Sequence, residues 1–121
     1  MSKKILIVDD ELDIVMVLSA RLREHGYETP YALNAKQAFL EIEKHKPDLI
    51  ILDIMLPDMG GDAIASKLKE DPQTRKIPVI FLSALQTKKE EHSQDGFIGG
   101  NVVLAKPFEM DILLKKIKEM V

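Results

Sequence analysis

Four short apolar runs, each uninterrupted by a polar residue, constrain this chain more than any other feature. They are Ile5–Val8, Leu49–Leu52, Val79–Leu82 and Val102–Leu104. Continuous rather than alternating runs of this length are the pattern of strands covered on both faces, as in a parallel sheet. A fifth, weaker run lies around Glu28–Ala32. Amphipathic segments separate them. Between Glu11 and His25, Ile14, Val15, Leu18 and Leu22 share one helical face, and Gly26 follows as a stop. Ala35–Lys44 carries Ala35, Ala38, Phe39 and Ile42 on one face and is closed by Pro47. Gly61–Lys69 has Ile64, Ala65 and Leu68, and Glu109–Met120 has Met110, Leu113, Ile117 and Met120. Strands alternating with helices predict right-handed βαβ units: an α/β fold with helices on both faces of a parallel sheet. The segment Thr87–Gly100 fits least well. It has no apolar stripe before Phe97, and Gly96, Gly99 and Gly100 weaken its end, so a short or mobile fourth helix is expected there. With no repeat, low-complexity tract or linker, residues 1–121 are expected to form one domain with no effector domain after it.

Composition narrows the possible functions. A net charge of −3 argues against direct binding of nucleic acid, which needs a basic surface to displace counterions. The absence of cysteine removes disulfide and thiolate chemistry and is compatible with a reducing compartment. The start "MSKK" is basic, but the apolar run after it has four residues and ends in acids, too short for a secretory signal. No stretch approaches the roughly 18 apolar residues of a membrane span. A soluble cytoplasmic protein with no membrane partner is the expectation.

In open α/β sheets, ligands bind beyond the carboxyl ends of the strands. Four of the five expected strand ends carry a polar group to that edge: Asp9 and Asp10, Asp53, Ser83, and Lys106. Carboxylates held close repel by roughly 1–4 kcal/mol per pair, and a hard divalent cation offsets this. Mg²⁺ accepts carboxylate and carbonyl oxygens and keeps several waters. A metal, a lysine and a hydroxyl facing a carboxylate are the parts that phosphoryl transfer requires. Asp9 and Asp10 form a natural metal-binding pair. Asp53, alone at its strand end, is the best candidate nucleophile, giving an aspartyl phosphate. Each residue alone has a plainer role. Asp9, Asp10 and Glu11 suit a helix N-terminus, Asp53 a turn, Ser83 a cap and Lys106 a solvated loop. Their coincidence at one edge favours a shared site.

The stretches "ILIVDDE", "PDLIILDIMLPDMGG", "VIFLSA" and "AKPF", in this order and spacing, resemble the receiver domain of bacterial two-component response regulators, in particular the stand-alone, chemotaxis-regulator-like kind. The resemblance covers the whole chain. It implies a doubly wound, flavodoxin-like (βα)5 fold with a five-stranded parallel sheet of order 2-1-3-4-5. It also implies Asp53 as phosphoacceptor, with Asp10, Asp53 and the backbone carbonyl of Met55 on Mg²⁺ and Asp9 holding the metal largely through water. Ser83 would bond a phosphoryl oxygen in the active state. Lys106 would pair with Asp53 at rest and with the phosphate afterwards, aimed by a cis Lys106–Pro107 bond. Pro57 and Gly61 match the turn after the acceptor.

Two positions depart from the pattern. The aromatic switch side chain common three residues before the site lysine is replaced by Val103. Leu85 is apolar where many receivers are polar, and with Met55 it is expected to affect water access to the phosphate, and so the signal's lifetime.

The implied function is a phosphorylatable switch that takes its phosphoryl group from a sensor histidine kinase or phosphotransfer protein. It shifts between two populations, catalysing only its own phosphorylation and dephosphorylation. An output protein would bind the face built by the fourth helix, fifth strand and fifth helix, here including Lys88–Gln94 and Glu109–Met120. A monomer or phosphorylation-dependent dimer is expected. The alternative is a Mg²⁺-dependent phosphatase with an aspartyl nucleophile. It would want an acid two residues after the nucleophile, where Met55 follows Asp53. A nucleotide- or flavin-binding module would need a glycine- or hydroxyl-rich first loop, and "DDELD" is opposite in charge. His25, His45 and His92 are scattered and suit solvated helix faces.

Overall fold

The computed structural model describes residues 2–83, 97–98, 101–106 and 108–121, with only the backbone of residues 97, 98 and 101. The strands are β1 (Ile5–Val8), β2 (Tyr31–Ala32), β3 (Leu49–Asp53), β4 (Val79–Ser83), β5 (Phe97–Ile98) and β6 (Asn101–Ala105). The helices are α1 (Leu12–Glu24), α2 (Ala35–His45), α3 (Gly61–Glu70) and α4 (Met110–Met120). The sheet order is β2-β1-β3-β4-β6-β5. Its five parallel strands have the expected 2-1-3-4-5 order, counting β6 as the fifth. One correction concerns Phe97, which was expected at the end of a helical segment. Phe97 and Ile98 instead pair antiparallel with Val102 and Asn101, adding a short sixth strand at the edge. Two β-type residues flanked by glycine satisfy their backbone groups on a neighbouring strand more readily than in a helix. The rest of the expected fourth helix, Leu85 and the Lys106–Pro107 bond lie outside the described residues.

Alternation along the strands divides the interior into two cores. Leu6, Val8, Ile50, Leu52, Val79, Phe81 and Val103 face Ala35, Ala38 and Ile42 of α2 and Ile64, Ala65 and Leu68 of α3. Ile5, Ile7, Leu49, Ile51, Ile80 and Leu82 face Val15, Leu18 and Leu22 of α1 and Leu113, Leu114 and Ile117 of α4. Each fully buried aliphatic side chain contributes about 2 kcal/mol. Val103, where the family often has a switch aromatic, is a core residue here. The weak fifth run yields only the two-residue β2, because Pro30 lacks the N–H that a longer ladder needs; its carbonyl still accepts from Ile7 at 3.0 Å.

Helix ends are set by local chemistry. Asn34 Oδ1 accepts the Gln37 N–H at 2.9 Å and Gln37 Oε1 accepts the Leu33 N–H at 3.0 Å, a reciprocal cap for α2. Asp58, 23 residues downstream of Ala35, completes it by accepting from Ala35 N (2.8 Å) and Lys36 N (3.1 Å). These bonds, that of Ala35 foremost, hold the Asp58 carboxyl below its ordinary pKa. The folded state therefore favours the charged form. Its stabilising effect is complete above the unfolded pKa of about 3.9 and is lost as pH falls through the depressed folded value. Asp58→Ala is expected to lower the melting temperature at pH 7, and the gap from wild type should close on acidification below that range. A gap of constant size down to pH 2 would contradict this account.

Among the described residues, no helix is long and apolar enough to cross a membrane.

Candidate functional site

The register of the central strands builds the site. Val8 pairs with Leu52, so the next step along both strands brings Asp9 beside Asp53. Ser83 pairs with Ala105, and the Lys106 N–H donates to the Ser83 carbonyl at 2.8 Å, carrying Lys106 just past the same edge. Asp9, Asp53 and Lys106 are in phase with Ile7, Ile51 and Leu104, which belong to the core under α1 and α4. Ser83 is in phase with Val79 and Phe81 of the other core. It ends its strand half-buried, as the sequence placed it.

Asp9 and Asp53 are anchored alike. Asp9 Oδ1 accepts the Glu11 N–H at 2.8 Å, and Asp53 Oδ1 accepts the Met55 N–H at 2.9 Å. Each side chain thus closes a turn onto the residue two positions on. Each second oxygen faces Lys106, whose Nζ lies 2.7 Å from Asp9 Oδ2 and 3.2 Å from Asp53 Oδ2. Glu11 Oε1 completes the group at 3.0 Å. The sequence reading paired Lys106 with Asp53. The structure adds Glu11 and makes Asp9 the nearest partner.

Burial governs the electrostatics. Asp9 is 0% exposed and Asp53 4%. Burial pushes the Asp9 carboxyl above the usual carboxylate range, and the Lys106 ammonium and Glu11 N–H only partly reverse this. For Lys106, burial pulls the pKa down, but the surrounding carboxylates, Asp9 foremost, more than overcome it and raise it above an ordinary lysine. The ammonium therefore stays charged throughout the neutral range. Lys106 is far from the solvated loop lysine its sequence position alone suggests, its side chain being 8% exposed.

The arrangement also fits a cation. Asp9, Asp10, Glu11 and Asp53 each offer an oxygen within 4.8 Å of the others. Asp9 Oδ2 is fully buried, and among the described residues it makes no hydrogen bond of regular geometry despite the nearby ammonium. A buried carboxylate oxygen within a cluster of four carboxylates suits a hard ion such as Mg²⁺. Asp10 and Glu11 are exposed, so the set opens to solvent on one side. Met55 contributes its N–H to Asp53 while the residue is 56% exposed beside the site.

The loop after Asp53 is pinned by Gly61. Its N–H donates to the Ile54 carbonyl at 2.8 Å. A Cβ at Gly61 would lie 2.6 Å from the Asp53 carbonyl oxygen and 2.9 Å from Ile54 Cα. The loop also supplies Asp58 to the N-terminus of α2. Two contacts went unforeseen. Glu11 was noted only as a helix-start acid, and Asp58 was given no role. The acid after Asp9-Asp10 was a usable signal for the first, whereas nothing local marks the second.

A doubly wound sheet with clustered acids and a buried lysine at its carboxyl edge is the arrangement that the receiver-domain resemblance implies. The family model described as the response regulator receiver domain matches residues 5–118, and the chain belongs to that family. It is 40% identical over 116 residues to the phosphate regulon regulator PhoB of Pseudomonas aeruginosa, covering 96% of this chain and 50% of that one. It is 35% identical over 120 residues to the response regulator PleD of Caulobacter vibrioides, covering 99% of this chain and 26% of PleD. The chain thus spans half or less of these relatives. The polar-differentiation regulator DivK of Brucella anthropi is 33% identical over 119 residues, 98% of this chain and 95% of DivK. Among solved structures, the response regulator TrrA of Thermotoga maritima, in complex with Mg²⁺-BeF, superposes with a TM-score of 0.81 at 29% identity, covering 98% of this chain and 99% of that one.

Proposed function

We propose that this domain is a phosphorylation switch in which Asp53 accepts a phosphoryl group from a phosphohistidine of a sensor histidine kinase or phosphotransfer protein. The observation that carries this reading is the buried Asp53 carboxylate, with one oxygen locked on Met55 N and the other facing Lys106 within a tight acid cluster. An Asp53 oxygen attacks phosphorus, the P–N bond breaks, and the departing imidazole nitrogen takes a proton. Lys106 stays beside Asp53 and pairs with the added phosphoryl oxygens. Ser83, at the adjacent strand end, donates its hydroxyl to one of them. Asp9, Asp10, Asp53 and the Met55 carbonyl are the residues to hold Mg²⁺. The Mg²⁺-BeF complex of the similar TrrA supports Mg²⁺ as the ion. Bound there, the ion neutralises the acids and the charge developing on the phosphoryl group.

Phosphorylation then shifts the population towards a form with a different partner-binding surface, made in part by β6 and α4. The domain acts by binding an output protein rather than by turning over a substrate.

Incubation with Mg²⁺ and acetyl phosphate, followed by intact mass spectrometry, tests the reading. A single phosphoryl adduct is expected on wild type, absent from Asp53→Asn and from wild type in excess chelator. Equal adducts on both proteins, or none on either, would overturn it.

A further inference from the structure

We propose that Glu11 is a positioning residue: it holds the Lys106 ammonium beside Asp53 while a cation takes the oxygens that Lys106 otherwise occupies. The inference rests on the metal site of the proposed function and assigns a part to a residue outside that ligand set. Three carboxylate oxygens surround Nζ, from Asp9 at 2.7 Å, Glu11 at 3.0 Å and Asp53 at 3.2 Å. Two of these acids, Asp9 and Asp53, are also needed by the cation. An ammonium and a divalent ion cannot both sit against the same oxygens without strong repulsion. Entry of the ion therefore requires the ammonium to yield Asp9, and of its three carboxylate partners among the described residues Glu11, the exposed member of the acid cluster, is the one outside the ligand set proposed above.

Glu11 is built for that part. It is the N-cap residue of α1, yet its side chain makes no cap hydrogen bond and is free to face Lys106. Its side chain is 57% exposed, on the solvent rim of the cluster, whereas Asp9 and Asp53 are buried. Lys106 makes regular hydrogen bonds to Glu11 and Asp53, while Asp9 Oδ2 is close but not hydrogen-bonded. Without Glu11 the ammonium is left with only the acids the cation needs, and the two compete directly.

The test is Mg²⁺ titration by calorimetry of wild type, Glu11→Gln, Lys106→Met and the double variant. Glu11→Gln is expected to weaken Mg²⁺ binding roughly threefold or more in the wild-type background and to have no effect when Lys106 is Met. An equal loss in both backgrounds would make Glu11 a direct electrostatic or water-mediated partner of the ion, overturning the inference while leaving the metal site intact. A wild type that binds no Mg²⁺ would overturn both. A second readout does not depend on the Lys106 variant folding. In ¹⁵N-lysine NMR at saturating Mg²⁺, the Lys106 ammonium signal should persist in wild type and be lost to solvent exchange in Glu11→Gln. Its persistence in Glu11→Gln would overturn the inference.

Discussion

Lys106→Met is expected to destabilise the metal-free protein by about 3 kcal/mol at pH 8, measured by urea unfolding. The substitution keeps most of the side-chain volume and removes the cation that, among the described residues, contacts both buried carboxylates. Asp9 is then fully buried, and among the described residues only the Glu11 N–H opposes its charge. Two further measurements identify the cause. Saturating Mg²⁺ should restore most of the loss, because it returns positive charge to the same oxygens. Acidification should also narrow the gap. Asp9 already has a raised pKa in the fold, so the folded state takes up its proton before the unfolded state does, and protonation removes the charge that lacks a partner. A deficit unaffected by both Mg²⁺ and pH would point to lost packing of the lysine stem instead.

Gly61→Ala is expected to cost about 2–3 kcal/mol of stability and to slow phosphorylation of Asp53 by an order of magnitude or more. The obstacle is backbone, not a movable side chain: the new methyl would sit 2.6 Å from the Asp53 carbonyl oxygen and 2.9 Å from Ile54 Cα. The start of α3 must retreat from the end of β3, which breaks the Gly61 N–H bond to the Ile54 carbonyl and disturbs the adjacent Met55 N–H that orients the Asp53 carboxylate. Unfolding by urea and adduct formation with acetyl phosphate measure the two effects separately. Wild-type behaviour in both would show that the loop gives way without disturbing the acceptor.

The parallel strands were legible because burial on both faces demands continuous apolar runs. Ile5–Val8 matches β1, and the other three runs lie within their strands to within one or two residues. The helical faces followed from 3.6-residue spacing: Val15, Leu18 and Leu22 are buried together as that spacing requires. Strand β5 was illegible for the converse reason. Two residues make no periodic pattern, and their pairing is a property of the neighbouring strand. Asp9, Asp53 and Lys106 could be placed at one edge because each ends a visible strand. The order of preference among Lys106's partners could not be read, since it depends on distances of tenths of an ångström between residues as far apart as Glu11 and Lys106. The Asp58 cap was hidden similarly: a loop acid can serve any helix that the fold brings near it.

The paired turns at Asp9 and Asp53 bear on how fast and how tightly this edge can respond. A free carboxylate rotates, and fixing its torsions costs a measurable part of any binding free energy. Here the N–H groups of Glu11 and Met55 fix both rotors during folding, so an arriving ion or phosphoryl group finds them already oriented. A glutamate at either position, one methylene longer, would have to abandon the backbone bond or overshoot the ammonium. The short side chain at these two positions is therefore a matter of rotational entropy as much as of charge.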